Sequence, residues 1–216
     1  GDDRIKSLVV LPFNSPREAM NTVDEFKDVP GVIGFTVTST RYKPVHSNEY
    51  MPLYAKIQET GKPIAFHAGY HWQDPSLATV NSFLGMHSLG FTWCNIVHMT
   101  AWIPFVMQRL DDQYLMRQSE APLLKKMPSD YMRESCFYSC QPMEKSSDVG
   151  LKATLEMIKA ETQLLFASDW PHFDFDSPRV IYDIPHLSEQ QKKKILGLNA
   201  AKLFGLPQTP RAKRAA

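Results

Sequence analysis

Long apolar runs are missing from this sequence. The longest, such as residues 7–13 and 164–167, fall far short of the roughly 20 residues needed to cross a bilayer, so a membrane span is not expected. An excess of one charge is missing too. Lys plus Arg (24) nearly balances Asp plus Glu (23), and the signs are interleaved. No broad field is available to gather phosphate backbones or anionic lipid, which argues against nucleic acid and membrane surfaces as partners. Cysteine is scarce: Cys94, Cys136 and Cys140 are an odd number at no zinc-type spacing. With no signal peptide in view, a reduced, cytoplasmic setting is the simplest account, although Cys136 and Cys140 could pair in principle. Cys136 and Cys140 read as small buried residues near strand ends. Glycine is absent from LPFNSP, where an open doubly wound nucleotide-binding sheet would carry its phosphate turn.

What is present is ordinary for a folded domain: 216 residues, 43% apolar and 22% charged, enough to bury one sizeable core. Short apolar runs alternate with helical patterns, the signature of βα units and a parallel sheet. Strands are expected at 6–12, 31–38, 64–67, 94–98, 136–139 and 163–168. Helices are expected from Pro16 to about Lys27 and at 49–60, about 102–118, 149–160 and, closing the chain, from Ser188 to about Phe204. Ser15-Pro16-x-Glu18 and Ser188-x-x-Gln191 both read as capping boxes, each opening a helix. The tail 207–216 is small and basic and reads as a disordered terminus. Six strands are two short of a closed eight-stranded barrel.

Three metal-competent residues end successive strands: His67 closes PIAFH, His98 closes NIVH and Asp169 follows LLFAS. In parallel barrels the C-terminal strand ends converge on one mouth, so side chains at that register form a site. A single histidine ending an apolar run is more simply a structural residue; two histidines and an aspartate at one register favour a site. Imidazole and carboxylate suit zinc or manganese, with positions left for water and substrate.

At these residues the sequence resembles the amidohydrolase superfamily. GKPIAFHAG, NIVHMTAWIP, LLFASDWPHFDFDSP and ILGLNAAKLFGL are similar to its strand-end motifs and closing helix. The branch they resemble contains aminocarboxymuconate-semialdehyde and γ-resorcylate decarboxylases. The likeness implies a (β/α)₈ barrel of TIM type over residues 1–206, with about six of the eight strands in this chain. It implies one divalent ion, Zn or Mn, with His67 and Asp169 as ligands and His98 as the residue that contacts substrate or transfers a proton. Trp170 and His172 would line or support the mouth, although His172 is equally well read as structural. His71 and Trp72, in the loop after the His67 strand, suit a substrate contact or an unassigned exposed loop. Trp102 and residues 127–131 would shape the pocket wall, with core packing the preferred reading. Arg41 and Lys43 could pair with a substrate carboxylate, yet solvated loop cations are commoner.

One family feature is missing. Members carry a His-x-His pair on the first strand that supplies two ligands, and none of the seven histidines here stands in that spacing. The strand at 6–12 matches the family's third, so the expectation is that two strands and the His pair come from upstream of Gly1 or from another chain, making an oligomer. The function expected is a metal-dependent hydrolase or non-oxidative decarboxylase of a small aromatic or unsaturated carboxylic compound. The alternative is a non-catalytic amidohydrolase-like subunit that stabilises or regulates a complete partner.

Overall fold

The computed structural model describes residues 5–38, 45–67 and 102–207. They fall in two compact units, residues 1–97 and 98–216, each taken by itself. In the first unit, β1 (Ser7–Val10), α1 (Pro16–Phe26), β2 (Val32–Thr38), α2 (Met51–Glu59) and β3 (Ile64–His67) alternate in the expected order. The strands form a parallel sheet in the order β1-β2-β3, with Val10 opposite Thr36 and Thr38 opposite His67. β2 reads VIGFTVT because a central parallel strand is covered on both faces and favours β-branched residues. Close packing explains Gly34: a Cβ there would lie 2.7 Å from the Pro63 carbonyl oxygen and 2.8 Å from Leu8 Cδ2.

The helices pack through an i, i+4 stripe, Ala19 with Val23 on α1 and Leu53 with Ile57 on α2, onto Phe35 and Val37. Phe13 stacks on Tyr50 with ring centroids 4.0 Å apart. The capping box expected at Ser15 does not form: its side chain makes no cap bond, and Asn21 Nδ2 donates to the Glu18 carboxylate instead. Pro16 follows at once and has no N–H, so the orphan donors at this end are already fewer.

The second unit contains α3 (Trp102–Met116), α4 (Pro128–Ser135), β4 (Tyr138–Ser139), α5 (Asp148–Met157), α6 (Ala160–Gln163), β5 (Leu164–Leu165), α7 (Arg179–Tyr182), α8 (Glu189–Lys193) and α9 (Asn199–Leu203). β4 and β5 pair in parallel, Tyr138 with Leu164. Both strands are shorter than the expected 136–139 and 163–168. Past Leu165 the β5 backbone bonds elsewhere: the Phe166 N–H donates to the Ile195 carbonyl at 3.0 Å. The core joins Ile103 and Met107 of α3 to Leu155, Leu164, Ile181 and Ile195.

The expected closing helix is real but interrupted, since a π-helical turn at Lys194–Leu198 separates α8 from α9. Buried Asn199 then ties α9 to β5, its Nδ2 donating to the carbonyls of Leu164 (2.9 Å) and Glu161 (3.1 Å). The helix of 149–160 ends early, at Met157, where Lys159 takes a left-handed φ of 53° and starts α6.

The Ser188 box does form. Its Oγ accepts from the Gln191 N–H at 3.3 Å, and the Gln191 side chain accepts from the Ser188 N–H at 2.9 Å. Ser188→Ala is expected to destabilise the second unit by about 1 kcal/mol, read from the urea midpoint; an unchanged midpoint would mean the cap contributes nothing.

Described residues give strands β1–β5 and no closed barrel; the strand expected at 94–98 lies outside them. No helix among them is long and apolar enough to cross a membrane.

Candidate metal centre

β5 aims the chain at Ser168 and Asp169, and a tight turn follows. Asp169 has φ +56°, in the left-handed region, where the short polar side chains of Asp and Asn are tolerated best. The turn is closed by backbone bonds: His172 N–H to Asp169 O (2.7 Å), Phe175 N–H to His172 O (3.2 Å) and Asp176 N–H to Ser168 O (2.9 Å). Ser168 Oγ accepts from the Trp170 N–H at 3.3 Å.

The end of β4 braces this turn from the side. Gln141, only 3% exposed, donates from Nε2 to the Asp174 carbonyl at 3.1 Å. Cys140 Sγ accepts from the Ala167 N–H at 3.4 Å. Burial pushes the Cys140 thiol up to about 11, so at neutral pH it is a protonated packing group and not a nucleophile. Cys136 is exposed instead of buried as expected, because it precedes β4 at the end of α4; both thiols are free.

Within the turn, the donor atoms of Asp169, His172 and Asp174 lie within 4.8 Å of one another. His172 Nδ1 is in direct contact with Asp174 Oδ1 and stands 3.6 Å from Asp169 Oδ2. The side chains are 34%, 43% and 26% exposed, so the cluster is held by protein on one side and open on the other. Carboxylate oxygen and imidazole nitrogen are the donors that manganese and zinc accept, so these residues fit a divalent ion of that kind. Around them stand aromatic rings: Trp170, 71% exposed, meets Phe175 edge-on at 4.9 Å, and Phe173 lies 4.6 Å from the His172 ring.

Of the residues singled out in sequence, the structure brings Asp169, Trp170 and His172 into one turn. His67 sits at the exposed end of β3, in the other unit. Trp102 begins α3 and packs against the core of the second unit, its buried Nε1 without a hydrogen-bond partner. Residues 127–131 lead into α4, where the Ser129 N–H donates to Asp111 at 2.9 Å. His98, His71 and Trp72 lie outside the described residues, as do Arg41 and Lys43. Sequence reasoning missed Asp174 and Gln141. Asp174 had a signal, the Asp-x-x-His-x-Asp spacing within SDWPHFDFD; Gln141 had none, being 33 residues from its partner.

The model of the amidohydrolase family matches residues 1–206, and the chain belongs to that family. A relative, γ-resorcylate decarboxylase of Polaromonas sp. (strain JS666), is 23% identical over 235 residues, covering 94% of this chain and 71% of the relative. Among solved structures, 5-carboxyvanillate decarboxylase from Sphingomonas paucimobilis superposes with a TM-score of 0.72 at 20% identity, over 94% of this chain and 67% of that one. Dihydroxybenzoic acid decarboxylase from Polaromonas sp. JS666, solved with bound manganese and 2-nitroresorcinol, superposes with a TM-score of 0.61 at 18% identity, over 93% of this chain and 69% of that one. These likenesses show that the α/β fold is shared.

Proposed function

We propose that this chain is part of a metal-dependent enzyme that removes the carboxyl group, without oxidation, from a small aromatic carboxylic acid, on a (β/α)₈ barrel. The observation that carries the reading is the Asp169 turn: a part-exposed carboxylate in a left-handed conformation shortly after the parallel strand β5, in a turn that also carries Trp170, Phe173 and Phe175. The relatives' names add weight to decarboxylation over hydrolysis.

In this reading His67 and Asp169 hold one manganese or zinc ion, which when bound would polarise a substrate oxygen. His98 delivers the proton to the ring carbon as its bond to the departing carbon dioxide breaks. Trp170 stacks on or walls the ring, with His71 and Trp72 as further contacts. The remaining ligands, a His-x-His pair, come from a segment carrying two more strands, upstream or on a partner chain. Among the described residues β1 pairs only with β2, and Val10 and Ile5 are 62% and 74% exposed, which supports the docking of such a segment beside β1. The odd cysteine count favours work in the reducing cytoplasm.

Metal analysis by mass spectrometry of the intact assembly is expected to find one Mn or Zn per chain. Carbon dioxide release should follow when the loaded assembly meets a panel of hydroxybenzoates. An assembly with no metal, or a loaded one inert on every carboxylic acid tried, would sink the reading.

A further inference from the structure

We propose that the second unit carries a binding site for a small organic monocarboxylate, in a cavity lined by α5, α6, α8 and the residues just before α8. The cavity holds about 310 Å³, at the small end of the range for small-molecule sites. Leu155, Ala160 and Leu187 form its buried apolar wall, which favours an occupant with an apolar body. Exposed Lys152 and Lys159 also line it, and neither makes an ion pair among the described residues. Glu161 is neutralised by Lys194, so the two lysines against Glu156 leave one uncompensated positive charge. A monoanion balances that charge, whereas a dianion overshoots it.

Two further observations set this cavity apart from a packing gap. Helices α2 and α9 each end on a left-handed glycine, Gly61 (φ 66°) and Gly205 (φ 62°). α5 ends the same way on Lys159 (φ 53°), where a side chain makes the conformation costly. Among the described residues Lys159 and Asp169 are the two non-glycine residues with positive φ, and such strain concentrates where a side chain holds a ligand. The second observation is His186, which lines the cavity and whose buried Nε2 has no hydrogen-bond partner among the described residues. A buried polar atom left unpaired is destabilising, and a polar group on the occupant would supply the partner. Gln191 adds a donor: its Oε1 is taken by the Ser188 N–H, which leaves Nε2 for a carboxylate oxygen. The site shares no residue with the Asp169 turn and does not depend on the enzyme reading.

The test is a titration of the full chain, carrying isotopically labelled histidine, with benzoate, read by NMR of the histidine rings. Inorganic phosphate and uncharged benzamide serve as comparison probes. Benzoate should shift the His186 signals saturably, those signals being identified by their loss in His186→Gln, and the other two probes should each bind about ten-fold more weakly. Lys152→Ala should weaken benzoate about ten-fold, and Lys159→Gly should do the same without lowering the melting temperature, because glycine relieves the left-handed strain. Asp169→Asn should leave the His186 response unchanged, which separates this site from benzoate bound at the candidate metal centre. His186 signals that stay still when benzoate is added to the unaltered chain overturn the proposal, whether or not the variants fold. A response left intact by both lysine substitutions overturns it too. Phosphate binding as tightly as benzoate would make the cavity a general anion site and overturn the assignment to a monocarboxylate.

Discussion

Asp169→Asn is expected to lower turnover of the assembled, metal-loaded protein about a thousand-fold while leaving its melting temperature within a few degrees of wild type. The two halves of that expectation have separate causes. Asn shares with Asp a short polar side chain that tolerates the left-handed region, so the φ of +56° is kept at little cost. The amide is nearly isosteric with the carboxylate, and the backbone bonds that close the turn come from other atoms of these residues. What is lost is a negative charge and a strong metal donor. A bound metal contributes several kcal/mol to the stabilisation of developing charge, and each 1.4 kcal/mol is worth about ten-fold in rate. Parallel measurements of kcat, bound metal and thermal unfolding separate the effects. Turnover retained at the wild-type level would remove Asp169 from the chemistry, and a collapsed melting temperature would make its role structural.

The largest loss of stability is expected at Phe35→Ala. Phe35 is 0% exposed at the middle of β2, with Val9 of β1 and Ile64 of β3 as its register partners. It shares its core cluster with Val37, Ala19, Val23, Leu53 and Tyr50, whose positions are set by β2, α1, α2 and the helical turn before α2. Backbones paired on both sides cannot collapse into the vacated space, so transfer and cavity costs add, at about 3–5 kcal/mol. The midpoint of urea unfolding should fall accordingly, with the slope unchanged. A loss under about 1 kcal/mol would show that the first unit repacks freely.

Much of the fold was legible because its signals are local. The alternation of β1, α1, β2, α2 and β3 follows from the apolar periods of the sequence, and the Ser188 box is written in four consecutive residues. Ser15 shows where such reading stops: the same spacing is present, but the side chain makes no cap bond. β4 and β5 came out shorter than their apolar runs because a ladder needs a partner at each position, and Phe166 finds its partner in a helical carbonyl.

At the candidate site, strand-end position was enough to single out Asp169, and the surrounding motif drew in Trp170 and His172. It was not enough to say that Asp174 joins them. Sequence spacing alone leaves a side chain two residues from His172 free to point either way. The direction is settled by the positive φ at Asp169, the Ser168 to Asp176 closure and the hold of Gln141 from the loop after β4. The sequence by itself therefore determined the order of β1, α1, β2, α2 and β3, the family and the candidate donor types, all encoded in neighbouring residues. Tertiary structure decided which donors converge, because convergence depends on backbone torsions and on contacts between residues far apart in the chain.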